Sequence, residues 1–286
     1  MRVRIAHSPD SDDAFMFCAL STGRVRVPGV EVEHVLKDIE TLNRAAAEGL
    51  YEVSAVSIHG YAHLHDRYRL MPCGASMGEG YGPVLVARQG LEGLEGRRVA
   101  LPGEWTSAAA AARLHTPALQ PVYMAFDEVT AAVRDGRVDA GVIIHEGQLT
   151  FAADGLVEVV NLGRWWAAQQ EGLPLPLGGN VVRRDLDPEL QVALTLATRD
   201  SIVWALEHRE EALSFAMKHA RGLDRGCADR FVGMYVNERT VDYGPDGVEA
   251  LRRFLRLLHA RAIIDHQVPL DLVPLPAPAR APGSAA

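Results

Sequence analysis

Apolar runs and amphipathic stretches alternate along the first part of the chain. Three apolar runs predict short strands: Val3–His7, Val30–His34 and Val53–Val56. Three stretches with helical spacing follow them: Asp13–Leu20, Asp38–Ala47 and Ser57–His65. Strands that alternate with helices in this way are typical of a wound parallel sheet.

A glycine-rich segment, Gly74–Pro83, then interrupts the pattern, as expected where the chain crosses between lobes. Beyond it the alternation resumes with four elements: strand Arg98–Leu101, helices Thr106–Arg113 and Phe126–Asp135, and strand Ala140–Ile144. A second extended, glycine-marked run, Leu173–Val182, stands where a return crossing is needed.

Only helical patterns follow the return crossing: Leu190–Ala220, Arg225–Val236 and Gly247–Ala262. The pattern therefore predicts an α/β, two-lobed, periplasmic-binding-protein-like (type II) fold with a hinged central cleft. We expect residues 1–88 and 182–267 to form the first lobe, 89–181 the second, and 268–286 a loose tail rich in proline and alanine.

Composition and charge narrow the function. The chain has 286 residues, 48% of them hydrophobic and 23% charged, and a formal net charge of −8. An acidic chain lacks the long-range attraction that nucleic acid or an anionic membrane needs, and no apolar run is long enough for a membrane span. We expect a cytoplasmic protein, monomeric or homodimeric, that binds a small molecule.

The three cysteines are too far apart for a zinc or redox motif and are expected to be reduced thiols.

Hydroxyl side chains stand at three predicted helix starts that face the cleft. Thr106, Ser107 and Ala108 open one helix, Ser57 opens another, and Ser8 begins the turn before the first helix. Each is either an ordinary helix cap or part of a pocket whose backbone N–H groups bind a carboxylate.

Three aspartates complicate the first turn. Asp10, Asp12 and Asp13 either cap the helix or bind substrate hydroxyls, whereas a divalent-ion site lacks further matching ligands. The pair His59 and His63 has the spacing of one helix face, but no second pair of ligands supports zinc. We therefore predict a solvated helix face there and no metal.

His145 is the strongest single candidate for chemistry. The apolar strand before it delivers His145 to the carboxyl edge of a predicted sheet, where ligands of α/β proteins bind. Histidine titrates near neutral pH and is a natural general base. A structural role at the strand end is the alternative.

Motifs distributed along nearly the whole chain resemble one enzyme family. They are Ser8-Pro9 with Asp13 and Phe15-x-Phe17, Asp38-x-Glu40-Thr41-Leu42-Asn43, Gly82-Pro83-x-x-Val86-Ala87-Arg88, Pro102-Gly103-x-x-Thr106-Ser107-Ala108, Ala140-Gly141-x-Ile143-Ile144-His145-Glu146, Leu162-Gly163-x-Trp165-Trp166, Leu173-Pro174-Leu175-Pro176-Leu177-Gly178 and Tyr235-Val236-Asn237. In order and spacing the chain resembles the 1,4-dihydroxy-6-naphthoate synthases of the futalosine route to menaquinone, in the solute-binding-like superfamily.

The resemblance implies a lyase that cuts cyclic dehypoxanthine futalosine to 1,4-dihydroxy-6-naphthoate and a three-carbon fragment, without a metal or an organic cofactor. It also implies that His145 is the proton acceptor. By the same resemblance Ser57, Ser107 and Ala108 line the pocket for an anionic substrate, with Asn43 and Thr106 nearby.

The chain departs from the family pattern at several pocket positions. Where the family reads Ser-Pro-Cys-Pro-Asn-Asp-Thr, this chain has Asp10 and Asp12 as additional carboxylates. Ala55 replaces a lysine, and Asn180 stands where an apolar residue is expected. These changes leave two alternatives open: a non-catalytic solute-binding or sensor paralogue for another small polar ligand, and the sibling chorismate dehydratase.

Overall fold

Two mixed β-sheets, each packed against helices, organise the computed structural model, which describes residues 1–219 and 224–276. The strands are β1 (Arg2–His7), β2 (Glu31–Leu36), β3 (Val53–Ser57), β4 (Tyr68–Leu70), β5 (Ser76–Gly78), β6 (Val84–Ala87), β7 (Arg98–Leu101), β8 (Gln120–Tyr123), β9 (Ala140–Ile143), β10 (Val157–Asn161) and β11 (Leu175–Arg183). The helices are α1 (Ser11–Met16), α2 (Cys18–Ser21), α3 (Ile39–Ala47), α4 (Ile58–Tyr61), α5 (Ser107–His115), α6 (Val129–Arg134), α7 (Gly147–Thr150), α8 (Leu162–Gln169), α9 (Pro188–Glu207), α10 (Arg209–Ala216), α11 (Arg225–Tyr235), α12 (Glu238–Val241) and α13 (Gly244–Ala260).

The first sheet has the strand order β2-β1-β3-β11-β4, and β5 also pairs with β11. Strand β1 runs parallel to β2 and β3, as the alternation of strands and helices predicts. Strand β11 is antiparallel to β3, β4 and β5 because it re-enters this sheet from the second lobe in the opposite direction. Its register sets Gly178 opposite Ser57 and Asn180 opposite Ala55, so β11 forms one wall of the cleft.

The second sheet has the order β10-β6-β9-β7-β8 and corrects the expected lobe boundaries. Val84–Ala87 pairs with β9 and β10, although residues up to 88 were expected in the first lobe. Leu175–Arg183 pairs with strands of the first sheet, although residues up to 181 were expected in the second lobe. Backbone pairing thus moves both crossings to earlier positions, before residue 84 and before residue 175.

Other segments also differ from expectation. The helix predicted over Leu190–Ala220 is broken at His208 into α9 and α10, and Ala220 lies outside the described residues. Residues 268–276 are not a loose tail, because Leu272 bridges to Leu70 and Val273 is buried. Residues 277–286 lie outside the described part of the chain.

The largest apolar cluster is continuous between the lobes. It joins Val56 of the first sheet to Leu101 of the second through the alanine-rich face of α5 and the fully buried Trp166. Close packing of this kind holds the ends of the strands in fixed positions around the cleft. Within residues 1–219 and 224–276, no helix has both the length and the apolar character needed to cross a bilayer.

Candidate functional site

A cavity of about 110 Å³ lies between the two lobes, where strand ends and helix starts of both lobes meet. Of the residues predicted for the site, seven line this cavity: Ser8, Asp13, Ser57, Thr106, Ser107, Ala108 and His145. Parallel strands deliver the residues that follow them to one edge, which explains why separate strand–helix junctions converge here.

Asn43 lies behind the cavity wall rather than in it. The buried Asn43 amide accepts a hydrogen bond from the Ser57 backbone N–H at 2.8 Å and donates to the Ser57 hydroxyl at 3.3 Å. It also donates to the carbonyl of Trp105, in the second lobe, at 3.4 Å. Asn43 therefore positions Ser57 and connects the two lobes.

The start of α5 forms the wall contributed by the second lobe. Thr106 is a true N-cap, since its hydroxyl accepts a hydrogen bond from the Ala109 N–H at 3.1 Å. The Ser107 hydroxyl accepts from the His59 N–H at 3.1 Å and donates to the Leu177 carbonyl at 2.6 Å. The first N–H groups of a helix have no partners inside it. Those of Ser107 and Ala108 are thus the donors that α5 offers to the cavity.

The first turn forms the opposite wall. Asp13 accepts a hydrogen bond from the Ser8 N–H at 2.6 Å, and the Ser8 hydroxyl donates to the Asp10 carboxylate. Asp10 occupies the N-cap position of α1, but its side chain makes no capping hydrogen bond. The aspartates of this turn therefore shape the cavity instead of closing the helix end.

His145 meets this acidic wall across the cleft. Its Nδ1 lies 3.0 Å from Oδ2 of Asp10, and the edge of the ring packs against Phe126 with centroids 4.8 Å apart. The backbone of His145 has a φ of +55°, a region that few residues other than glycine adopt. Such an outlier marks a position where the fold imposes a particular side-chain direction.

The carboxylates determine the protonation of His145. Burial lowers the pKa of the imidazole, but the charge and hydrogen bond of Asp10 and the charges of Asp12 and Glu146 outweigh it, raising the pKa to about 9. Burial and neighbouring carboxylates raise the pKa of Asp12 and of Asp13 as well. Protons are thus held in this part of the cavity at neutral pH.

Three further residues of the cavity were not identified as ligand contacts from the sequence. Gln148 and the Tyr235 hydroxyl lie 2.8 Å apart and join α7 to α11 across the cleft. Asn180 donates to the Gly74 carbonyl at 3.0 Å, while its Oδ1 is buried with no hydrogen-bond partner among the described residues. Only the family pattern points to Tyr235 and Asn180, and no feature of the local sequence indicates a role for Gln148.

Among the described residues, neither lysine nor arginine lines the cavity, so an anion has to be bound by backbone dipoles and by the protonated ring of His145. No group of three or more His, Cys, Asp or Glu suited to a metal ion occurs in the part of the chain that the structure describes.

The solvated helix face predicted for His59 is wrong. Because α4 packs against α5, His59 is buried, and burial lowers its pKa to about 4.

Comparison with known proteins agrees with this arrangement. A family model described as "Menaquinone biosynthesis" matches residues 3–260. A Thermus thermophilus protein named 1,4-dihydroxy-6-naphthoate synthase is 42% identical and covers 91% of this chain and 95% of its own length. A protein of the same name from Streptomyces coelicolor is 37% identical, with 92% and 94% covered.

Solved structures show the same fold. Protein AF1704 from Archaeoglobus fulgidus superposes with a TM-score of 0.88 at 48% identity, covering 92% of this chain and 98% of its own. The alkanesulfonate-binding protein SsuA from Xanthomonas axonopodis, bound to MOPS, gives 0.67 at 14% identity, with 93% and 95% covered. The fold is therefore the two-lobed fold of periplasmic solute-binding proteins, and the chain belongs to the menaquinone biosynthesis family.

Proposed function

We propose that this protein is a carbon–carbon lyase that converts cyclic dehypoxanthine futalosine to 1,4-dihydroxy-6-naphthoate. The observation that carries the proposal is the position of His145 at the wall of the cavity between the lobes. The names of the two relatives, which match over nine-tenths of the chain, support the choice of product, and the family resemblance supports the choice of substrate.

His145 is the proton acceptor in this proposal. Its Nδ1 is bonded to Asp10, so Nε2 is the nitrogen that exchanges a proton with a ligand in the cavity. The imidazole accepts a proton from a sugar-derived hydroxyl or carbon of the substrate as the carbon–carbon bond breaks, and the products are 1,4-dihydroxy-6-naphthoate and the three-carbon fragment left from the sugar. Because the pKa is about 9, the ring has to lose its own proton first, and turnover should increase toward alkaline pH.

Backbone dipoles bind the negative charge of the substrate. The N–H groups of Ser107 and Ala108 at the start of α5 are donors placed for a carboxylate or a developing oxyanion. Such groups need no reorganisation during the reaction. They take the place of a lysine or arginine side chain, neither of which lines the cavity among the described residues.

The opposite wall offers acceptors. Asp12 of the first turn and Oδ1 of Asn180 on β11 face a ligand that carries hydroxyl donors. A carboxylate beside Asp12 would be repelled, so the substrate should bind with its acid group toward α5 and its sugar-derived hydroxyls toward the first lobe. A cytoplasmic location and the choice between monomer and homodimer stay predictions.

His145→Gln tests the role of His145. General acid–base catalysis is typically worth 10² or more, so the kcat of this variant should fall at least 100-fold while KM changes much less. His208→Gln, an exposed histidine outside the cavity, is the matched control and should keep wild-type kcat. Turnover of His145→Gln within tenfold of wild type would exclude His145 as the proton acceptor.

A further inference from the structure

The contact between Asp10 and His145 joins the two lobes at the wall of the cavity. Asp10 belongs to the turn after β1 in the first lobe, and His145 follows β9 in the second. Their 3.0 Å contact is well sheltered, since the Asp10 side chain is only 2% exposed and that of His145 17%. A hydrogen bond between charged groups is roughly twice as strong as one between neutral groups.

Both partners are held in place by their own lobe. The Ser8 hydroxyl donates to the same Oδ2 that receives His145, and the Asp10 N–H is 3.2 Å from the Ser8 oxygen. On the other side, the positive φ of His145 and the edge contact with Phe126 direct the ring toward the first lobe. The contact thus determines that Nδ1 of His145, and not Nε2, is bonded to Asp10.

We propose that Asp10 is the positioning residue of His145 and holds the ring so that Nε2 faces the ligand. This inference rests on the proposed function, in which His145 accepts the proton. A neutral ring bonded to Asp10 carries its proton on Nδ1, which leaves the lone pair on Nε2. After proton transfer the carboxylate stabilises the imidazolium.

The pairing also determines how the site responds to pH. Four carboxylates surround the ring: Asp10, Asp12 and Asp13 from the first turn and Glu146 from its own segment. Of these, Asp10 contributes both its charge and a direct hydrogen bond, and it is the largest of the influences that raise the pKa of His145. Removing the charge of Asp10 should therefore lower the pKa of His145 more than removing the charge of any of the other three carboxylates.

The test compares wild type with Asp10→Asn, which keeps the shape of the side chain and removes the charge. In the pH profile of kcat/KM, the ascending limb should move down by more than one pH unit, and the plateau should fall at least tenfold. NMR of the labelled histidine rings, with His145→Gln for assignment, should show the same movement of the His145 titration. Ser8→Ala removes the hydroxyl that holds the Asp10 carboxylate. It should move the titration of His145 in the same direction as Asp10→Asn, but by less.

Asp265→Asn provides the matched control. Asp265 bonds Nδ1 of His266 at 2.6 Å outside the cavity, and this contact raises the pKa of His266. The control variant should move the titration of His266 and leave the kcat/KM profile unchanged.

The outcomes separate the two proposals. An active His145→Gln enzyme would overturn the proposed function. An inactive His145→Gln enzyme, together with unmoved pH profile and ring titration in Asp10→Asn, would overturn only the role of Asp10. If Asp10→Asn does not fold, the Ser8→Ala titration decides, and an unmoved His145 signal there counts against the pairing.

Discussion

At the scale of single residues, the site depends on backbone positions that admit no larger side chain. Gly74 has a φ of +75° and lies against the amide of Asn180, where a Cβ atom would overlap Nδ2. Gly74 thereby allows Asn180, which lines the cavity, to donate to its carbonyl. A glycine required by both backbone and neighbour is a sensitive point for stability.

Gly74→Ala should therefore lower the free energy of unfolding by more than strain alone explains. Gly29 is the matched control, with a φ of +74° and nothing within 4 Å of an added Cβ. Gly29→Ala should cost about 1 kcal/mol through backbone strain, and Gly74→Ala at least about 1 kcal/mol more through overpacking. Urea unfolding of both variants measures the difference, and equal losses would show that Asn180 gives way.

Residues at the ends of predicted strands were the predictable part of the site. His145, Ser57 and Thr106 line the cavity because they follow strands whose ends meet there. They could be predicted because an apolar run followed by a polar residue indicates a strand end. The partners across the cleft were not predictable. No local pattern links Asp10 to His145 or Gln148 to Tyr235, since those contacts exist only once the lobes are packed together.

At the scale of elements, buried strands were easier to predict than edge strands. Strands β3, β7 and β9 form apolar runs because neighbours cover them on both sides. Strands β8 and β10 lie at the edges of the second sheet and are largely exposed, so their sequences carry no such signal. The direction of β11 was equally hidden, because periodicity does not distinguish parallel from antiparallel pairing.

The start of α5 supports both the fold and the cavity, and Thr106 caps it. Thr106→Val keeps the volume but removes the oxygen that accepts from Ala109, so the free energy of unfolding should fall by about 1–2 kcal/mol. Thr195→Val is the control, because the buried Thr195 hydroxyl donates only to a carbonyl of its own helix. In the same denaturant titration, Thr195→Val should lower the free energy of unfolding distinctly less than Thr106→Val. Similar losses in the two variants would contradict the importance of the cap.

At the scale of the whole molecule, the contact between the lobes should make stability depend on pH. The pKa of His145 is raised from its ordinary 6.5 to about 9, so its stabilising contribution is complete below pH 6.5 and is lost as pH rises through 9. The contribution amounts to at most about 3 kcal/mol.

Urea unfolding of wild type and His145→Gln at several pH values between 6 and 10 tests this dependence. The stability advantage of wild type should shrink as pH rises through that window. A difference that stays constant with pH would mean that Asp10 and His145 do not form a charged pair in solution.

The most direct measurement is incubation of the purified protein with cyclic dehypoxanthine futalosine, followed by mass spectrometry of the products. The account predicts release of 1,4-dihydroxy-6-naphthoate, faster at pH 9 than at pH 7 and abolished in His145→Gln. Binding of the substrate without any naphthoate product, at either pH, would contradict the lyase function.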